Sequence, residues 1–391
     1  MINGTMRRLG EERSAIRELF EYGRERMALV GKENVFDFSL GNPSVPAPDC
    51  VRKEIERLIN DVPPEVLHGY TSAAGDPDVR TAVANFLAAR SGVPVRADLV
   101  YMTCGAAASL TIALRAVVNE GDEVVLLKPY FPEYRVFVES VGGVVKEAET
   151  DGRFHIDCEA VRRALTDRTK AVIVNSPNNP TGAVYKKEEL AALAALLRSQ
   201  KSPVFLIADE PYRELTYGCE APDVMALYEQ VILCYSFSKS LSLAGERIGY
   251  LAVSPYCEQA SEVFSAVCGA GRSLGFVCAP SLFQRVCAAC LGMTGDVSVY
   301  EENRTLLYDG LTALGFECVP PEGAFYLFVK APEGDAKAFA EAAKEYELLL
   351  VPSDSFGVGG YVRISYCVPQ ERIKRALPRF GELAKSYRLK G

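Results

Sequence analysis

Apolar and polar positions change period along the chain, and the changes mark out its elements. In residues 11–30, Ile16, Leu19, Phe20, Met27 and Val30 fall near one face, with arginines and glutamates elsewhere. That pattern predicts an amphipathic helix packed on its own protein. A short strand is predicted at 35–40, ahead of a rigid, non-helical passage through Pro43, Pro46 and Pro48. Helices at 49–60 and 76–91 flank a glycine-containing loop at 67–72. From about 97 to 254 short apolar runs alternate with helical stretches. The runs at 98–102, 123–128, 171–175, 203–208, 231–235 and 248–253 predict strands, and the stretches at 105–119, 131–141 and 186–200 predict helices. Such alternation predicts an α/β fold with a mostly parallel sheet covered by helices on both faces. Ligands of such sheets bind at the carboxyl ends of the strands.

After residue 254 the pattern changes to helices at 256–268, 279–291, 297–314, 335–347 and 369–386, with strands at 324–330, 348–351 and 361–365. This is an α+β pattern and predicts a second, smaller domain. The expected division is a large domain at 49–285 and a small domain built from 1–48 and 286–391, the N-terminal segment packing with the C-terminal one.

Composition narrows the picture. The chain has 391 residues, enough for a large domain and a smaller one, and 49% hydrophobic with 24% charged residues is ordinary for a globular protein. A net charge of -8 disfavours nucleic acid or a membrane surface as partner. The twelve cysteines are scattered through apolar stretches, as suits buried thiols in a reducing compartment. Cys287 and Cys290 form a CxxC, but no second pair stands at metal spacing, so no metal is expected. No stretch has signal-peptide or membrane-span character, and a cytoplasmic protein is expected. With only His68 and His155 present, a histidine base is not expected either.

Five strand ends carry suggestive groups. Gly105-Ala106-Ala107-Ala108 opens a helix with small side chains, where N–H groups and the helix dipole favour an anion. Pro129-Tyr130-Phe131-Pro132-Glu133-Tyr134 places an aromatic ring that can stack on a planar ligand or simply fill the core. Asn175-Ser176-Pro177-Asn178-Asn179-Pro180-Thr181-Gly182 is a fixed turn with an asparagine amide free to donate. Asp209 ends an apolar strand, where an unpaired carboxylate is costly and calls for a cationic partner; Tyr212 follows three residues on. Lys239, in Ser236-Phe237-Ser238-Lys239-Ser240, sits among hydroxyls, with Arg247 ahead, and is placed to form a Schiff base with a carbonyl.

Taken together, the asparagine-proline-threonine-glycine turn, the aspartate-x-x-tyrosine, the serine-x-serine-lysine and the glycine-x-arginine-x-glycine resemble the class I aminotransferases, over nearly the whole chain. The resemblance implies the fold-type-I architecture and the cofactor pyridoxal 5'-phosphate (PLP). It implies that Lys239 holds PLP as an aldimine and then serves as base and acid, and that Asp209 keeps the pyridine nitrogen protonated. It implies that Asn179 and Tyr212 bind the ring 3'-oxygen and that Phe131 stacks on the ring. The phosphate is then expected on Gly105, Ala106 and Ala107, with Ser236, Ser238 and Arg247. Arg363, in Gly360-Tyr361-Val362-Arg363-Ile364-Ser365, matches the arginine for the substrate α-carboxylate, and Gly41 matches a backbone position near the substrate. Tyr70 is expected to reach the phosphate of a neighbouring subunit, which implies a homodimer with shared sites.

The substrates implied are an amino acid and a 2-oxo acid such as 2-oxoglutarate, with aspartate, alanine and aromatic donors all open. Arg272 falls where dicarboxylate-using relatives place a second arginine from the partner subunit; otherwise it is a surface arginine on a glycine-rich loop. The same lysine, aspartate and arginine also suit a PLP-dependent carbon–sulfur β-lyase. A PLP-binding regulator fits less well, because only about 35 residues precede the first strand.

Overall fold

The longest apolar runs are strands of a single seven-stranded sheet in the computed structural model, which describes residues 2–11 and 15–389. In chain order the strands of the molecule are β1 (Phe36–Asp37), β2 (Val100–Thr103), β3 (Glu123–Leu127), β4 (Val144–Ala148), β5 (Thr169–Asn175), β6 (Phe205–Asp209), β7 (Val231–Ser236), β8 (Gly249–Val253), β9 (Tyr326–Lys330), β10 (Leu348–Leu349), β11 (Val351–Pro352) and β12 (Tyr361–Ser365). The large sheet runs β2-β8-β7-β6-β5-β3-β4. Only β8 is antiparallel to its neighbours; the remaining pairs are parallel.

Its inner strands are buried on both faces, which is why they read as unbroken apolar runs. Alternate residues feed two cores. Val172, Val174, Leu206 and Leu233 face one, and Ala171, Ile173, Phe205, Ile207 and Ile232 the other. The edge strand β4 was not expected. It carries the polar pair Lys146 and Glu147 and is half exposed, so it lacks an apolar run. The short helix Cys158–Ala164 was not expected either.

The second part of the chain is a three-stranded antiparallel sheet, β11-β12-β9, covered by the helices Ser298–Ala313 and Gln370–Ser386 over one continuous core. The expected strand at 348–351 is two elements in two sheets: β10 pairs in parallel with β1, and β11 pairs with β12. The expected strand at 35–40 is reduced to β1. Within the expected helix at 11–30 the structure has Ala15–Val30, preceded by Gly4–Glu11; residues 12–14 lie outside the described ones. Leu19 packs with Leu349, Val351 and Phe356, and Arg26 Nε donates to Glu347 at 3.1 Å. Among the described residues no helix is long and apolar enough to cross a membrane, and no three His, Cys, Asp or Glu side chains gather in a group able to hold a metal ion.

Candidate active site

Strand pairing sets the site. Asn175 at the end of β5 lies beside Asp209 at the end of β6, and Ser236 at the end of β7 lies beside Gly249 at the start of β8. These positions line the carboxyl edge of the parallel strands.

Asp209 is buried. Its Oδ2 accepts a hydrogen bond from the Tyr134 hydroxyl, and its backbone oxygen accepts from Asn175 Nδ2 at 2.9 Å. Its Oδ1 is buried and has no partner. Burial pushes the carboxyl up to about 7; the neighbouring Glu210 adds to this and the Tyr134 hydroxyl opposes it. An orphaned carboxylate oxygen in such a place is the signature of a missing donor, and a protonated ring nitrogen is a donor of the right charge.

Lys239 sits in the short helix Phe237–Ser240 that β7 runs into. Its ammonium donates to the Gly41 carbonyl and lies 5.3 Å from the Phe325 ring centroid and 5.9 Å from that of Tyr212. Burial pushes it down to about 8, with Arg363 and Arg247 in the same direction and Cys367 against them. A lysine so placed is uncharged more often than a surface one, which suits a nucleophile and a base. Gly41 is needed there. A Cβ on it would stand 2.1 Å from the Tyr326 hydroxyl, which itself meets the Tyr212 hydroxyl at 2.8 Å.

Arg363 is 2% exposed. Its Nη1 donates to Asn179 Oδ1 at 3.0 Å and its Nη2 to the Ser39 carbonyl, while Nε has no partner. The guanidinium is packed between the rings of Tyr326, at 4.6 Å, and Phe356, at 5.2 Å. Among the described residues no carboxylate pairs with it. A buried guanidinium over two rings that no carboxylate of the described residues neutralises is suited to take a carboxylate.

A second anion cradle adjoins Lys239. Ser236 Oγ and Ser238 Oγ are 2.7 Å apart, and Arg247 Nη1 reaches Ser238 Oγ at 3.4 Å. The helix Ala106–Val117 begins beside them, with no side chain capping its first N–H groups. Gly105 ahead of it has φ +89°, and a Cβ there would stand 2.7 Å from Arg247 Nη2. Open N–H groups, two hydroxyls and a guanidinium fit a phosphate. Phe131 lies edge-on to Tyr134 at 5.7 Å between centroids, beside the Asp209 end of the cluster.

Tyr70 and Arg272 lie apart. Tyr70 is 99% exposed after the helix Pro64–Leu67. Arg272 is exposed in the last turn of the helix Ala260–Leu274, so the glycine-rich stretch around it is helical rather than a loop. A helix with Gly271 fits here because a Cβ would meet the Tyr101 hydroxyl at 2.4 Å. His155 lies between Glu189, at 3.1 Å, and Glu322, at 3.4 Å, and His68 is exposed; neither touches the cluster.

Four members went unnoticed in the sequence. Tyr134 and Asn175 stand inside stretches that drew attention for other residues. Asn175 Oδ1 also accepts from the Asn179 backbone N–H at 2.8 Å, so one side chain ties two members together. Tyr326 and Cys367 gave no signal. Cys367 Sγ reaches the Leu40 carbonyl at 3.6 Å.

Comparison with known proteins supplies the context. Residues 33–380 match the family described as "Aminotransferase class I and II". The chain is 31% identical over 372 residues to a probable aspartate aminotransferase of Methanocaldococcus jannaschii, covering 93% of this chain and 95% of that one. It is 35% identical over 362 residues to an aspartate/prephenate aminotransferase of Thermus thermophilus, covering 88% and 89%. Among solved structures, an amino transferase from Eubacterium rectale superposes with a TM-score of 0.96 at 52% identity, covering 99% of each chain. Aspartate aminotransferase from Thermus thermophilus with maleate superposes with a TM-score of 0.86 at 31% identity, covering 98% of this chain and 100% of that one.

Proposed function

Because the chain belongs to the class I and II aminotransferases, we propose that it performs its transamination with PLP held by Lys239. The donor is an L-amino acid of the aspartate, alanine or aromatic type and the acceptor a 2-oxo acid such as 2-oxoglutarate. Aspartate comes first among the donors, because several relatives bear its name. The observation that carries the reading is the unpartnered Oδ1 of Asp209 in one cluster with Lys239 and with Arg363, whose Nε has no partner in the chain.

Bound PLP supplies an electron sink for charge developing at the substrate α-carbon. Asp209 would keep the pyridine nitrogen protonated, and Tyr134 and Asn175 fix its orientation for that. Ser236, Ser238, Arg247 and the N–H groups of Ala106 and Ala107 bind the phosphate, Asn179 and Tyr212 the ring 3'-oxygen, and Phe131 a ring face. Arg363 binds the α-carboxylate with its fork, next to the backbone of Gly41. Lys239 Nζ, its proton affinity lowered by burial, takes up the α-proton and gives it back. The rings of Tyr326, Phe325 and Phe356 keep water from the lysine and the arginine. Tyr70 and Arg272, both exposed in one chain, serve the site of a second copy in a homodimer.

The test is half-transamination. The PLP-loaded protein is mixed with aspartate, alanine or phenylalanine, and the cofactor absorbance is followed, then restored with 2-oxoglutarate. Aspartate is expected to convert the band fastest, and Lys239→Ala to abolish conversion. Full activity in Lys239→Ala sinks the assignment. Pyruvate release from cystathionine without amino transfer replaces it with the β-lyase.

A further inference from the structure

Away from this cluster, a cavity of about 410 Å³ opens between the turn that carries Asn179 and the loop ahead of β9. Thr181, Ala183 and residues 318–322 line it, the two segments joined where the Glu322 N–H donates to the Gly182 carbonyl at 2.9 Å. Two arginines from different parts of the chain also line the cavity. Arg153 comes from the turn after β4 and is exposed; Arg304 comes from the helix Ser298–Ala313. Arg304 lies 5.1 Å over the Tyr217 ring and donates from Nη1 to the Pro321 carbonyl at 3.0 Å, and its Nε is buried with no partner. Among the described residues neither arginine pairs with a carboxylate. Glu322 is the one acid of the lining, and it is engaged: it accepts from the Val184 N–H at 3.1 Å and faces His155 Nε2 at 3.4 Å.

We propose that this cavity is a binding site for a small organic dianion, a phosphate monoester being the class that best matches two guanidinium forks. A guanidinium can offer paired donors to a phosphate, and a partly buried cation without a counter-ion, as Arg304 is, is unfavourable until one arrives. The volume is far above the roughly 30 Å³ of one water and inside the range of metabolite pockets. A ligand there ties Arg153, on the side of the large sheet, to Arg304, beside the small one. It also braces the turn whose Asn179 accepts from Arg363.

The site is tested by calorimetric titration of the PLP-loaded protein, its phosphate cradle filled, with glycerol 3-phosphate and with glycerol as the neutral control. Saturable binding of one phosphate ester per chain is expected, with none for glycerol. Arg153→Ala and Arg304→Gln are each expected to weaken it roughly tenfold or more. Should Arg304→Gln fail to fold, since that side chain packs on Tyr217, the exposed Arg153 decides alone. No saturable binding, equal binding of glycerol, or affinity unchanged in Arg153→Ala overturns the proposal. Binding is read without turnover, so failure here leaves the proposed reaction standing.

Discussion

At the scale of single residues, the orphaned oxygen of Asp209 and the buried ammonium of Lys239 give the cofactor-free protein a distinctive pH response. The Asp209 carboxyl is raised from 3.8 to about 7, so its contribution to stability is complete below about pH 4 and is lost as pH rises through 7. Lys239 is lowered from 10.5 to about 8, so its contribution is complete above about pH 10.5 and is lost as pH falls through 8. From these two groups stability is lowest between pH 7 and 8 and climbs on either side, by an amount on the order of a few kcal/mol. Urea denaturation of the cofactor-free protein across pH checks it: Asp209→Asn should flatten the acid limb and Lys239→Met the alkaline one, and limbs unchanged by these substitutions would refute the assignment. Arg363→Gln should lower kcat/KM for both substrates by roughly 10- to 100-fold, mostly through KM, with Arg363→Lys restoring little. Asn175, the amide that ends β5, acts through contacts to Asp209 and Asn179 that the sequence does not show. The charges of Asp209 and Lys239, at or just after the end of an apolar strand, call for a partner and were legible in the sequence. Tyr326 was not. Its hydroxyl meets that of Tyr212 across 114 positions, and nothing local in a strand encodes so distant a contact.

At the scale of elements, the junction of Gly105 with its helix is the most demanding local feature. A left-handed φ and the Arg247 fork only 2.7 Å from a would-be Cβ both exclude a side chain. Gly105→Ala should therefore fold yet hold PLP more loosely by roughly tenfold or more, seen as faster cofactor loss on dialysis. Unchanged retention would show that the cradle does not lie there. The inner strands were legible because burial on both faces leaves no polar position to blur them. The edge strand β4 and the split of residues 348–352 between two sheets were not, since each depends on which neighbour is near and not on its own pattern.

At the scale of the whole molecule, Tyr70 stands 99% exposed on one chain, which leaves its hydroxyl free to serve the site of a second copy as proposed. Light scattering should give twice the mass of one 42.6 kDa chain. Tyr70→Ala should weaken cofactor retention without changing the fold; a monomer with full activity would dispose of the shared site. The tie between the two ends of the chain carries a consequence for its birth. Arg26 and Glu347 are 321 positions apart, and β1 has no partner until β10 exists. At roughly 5–20 residues per second, the amino end waits on the order of tens of seconds after leaving the ribosome. For that time Leu19 and Val35 lack Leu349, Val351 and Phe356, the later half of their cluster, and a chain whose synthesis stops short of Leu348 never acquires the strand that pairs with β1.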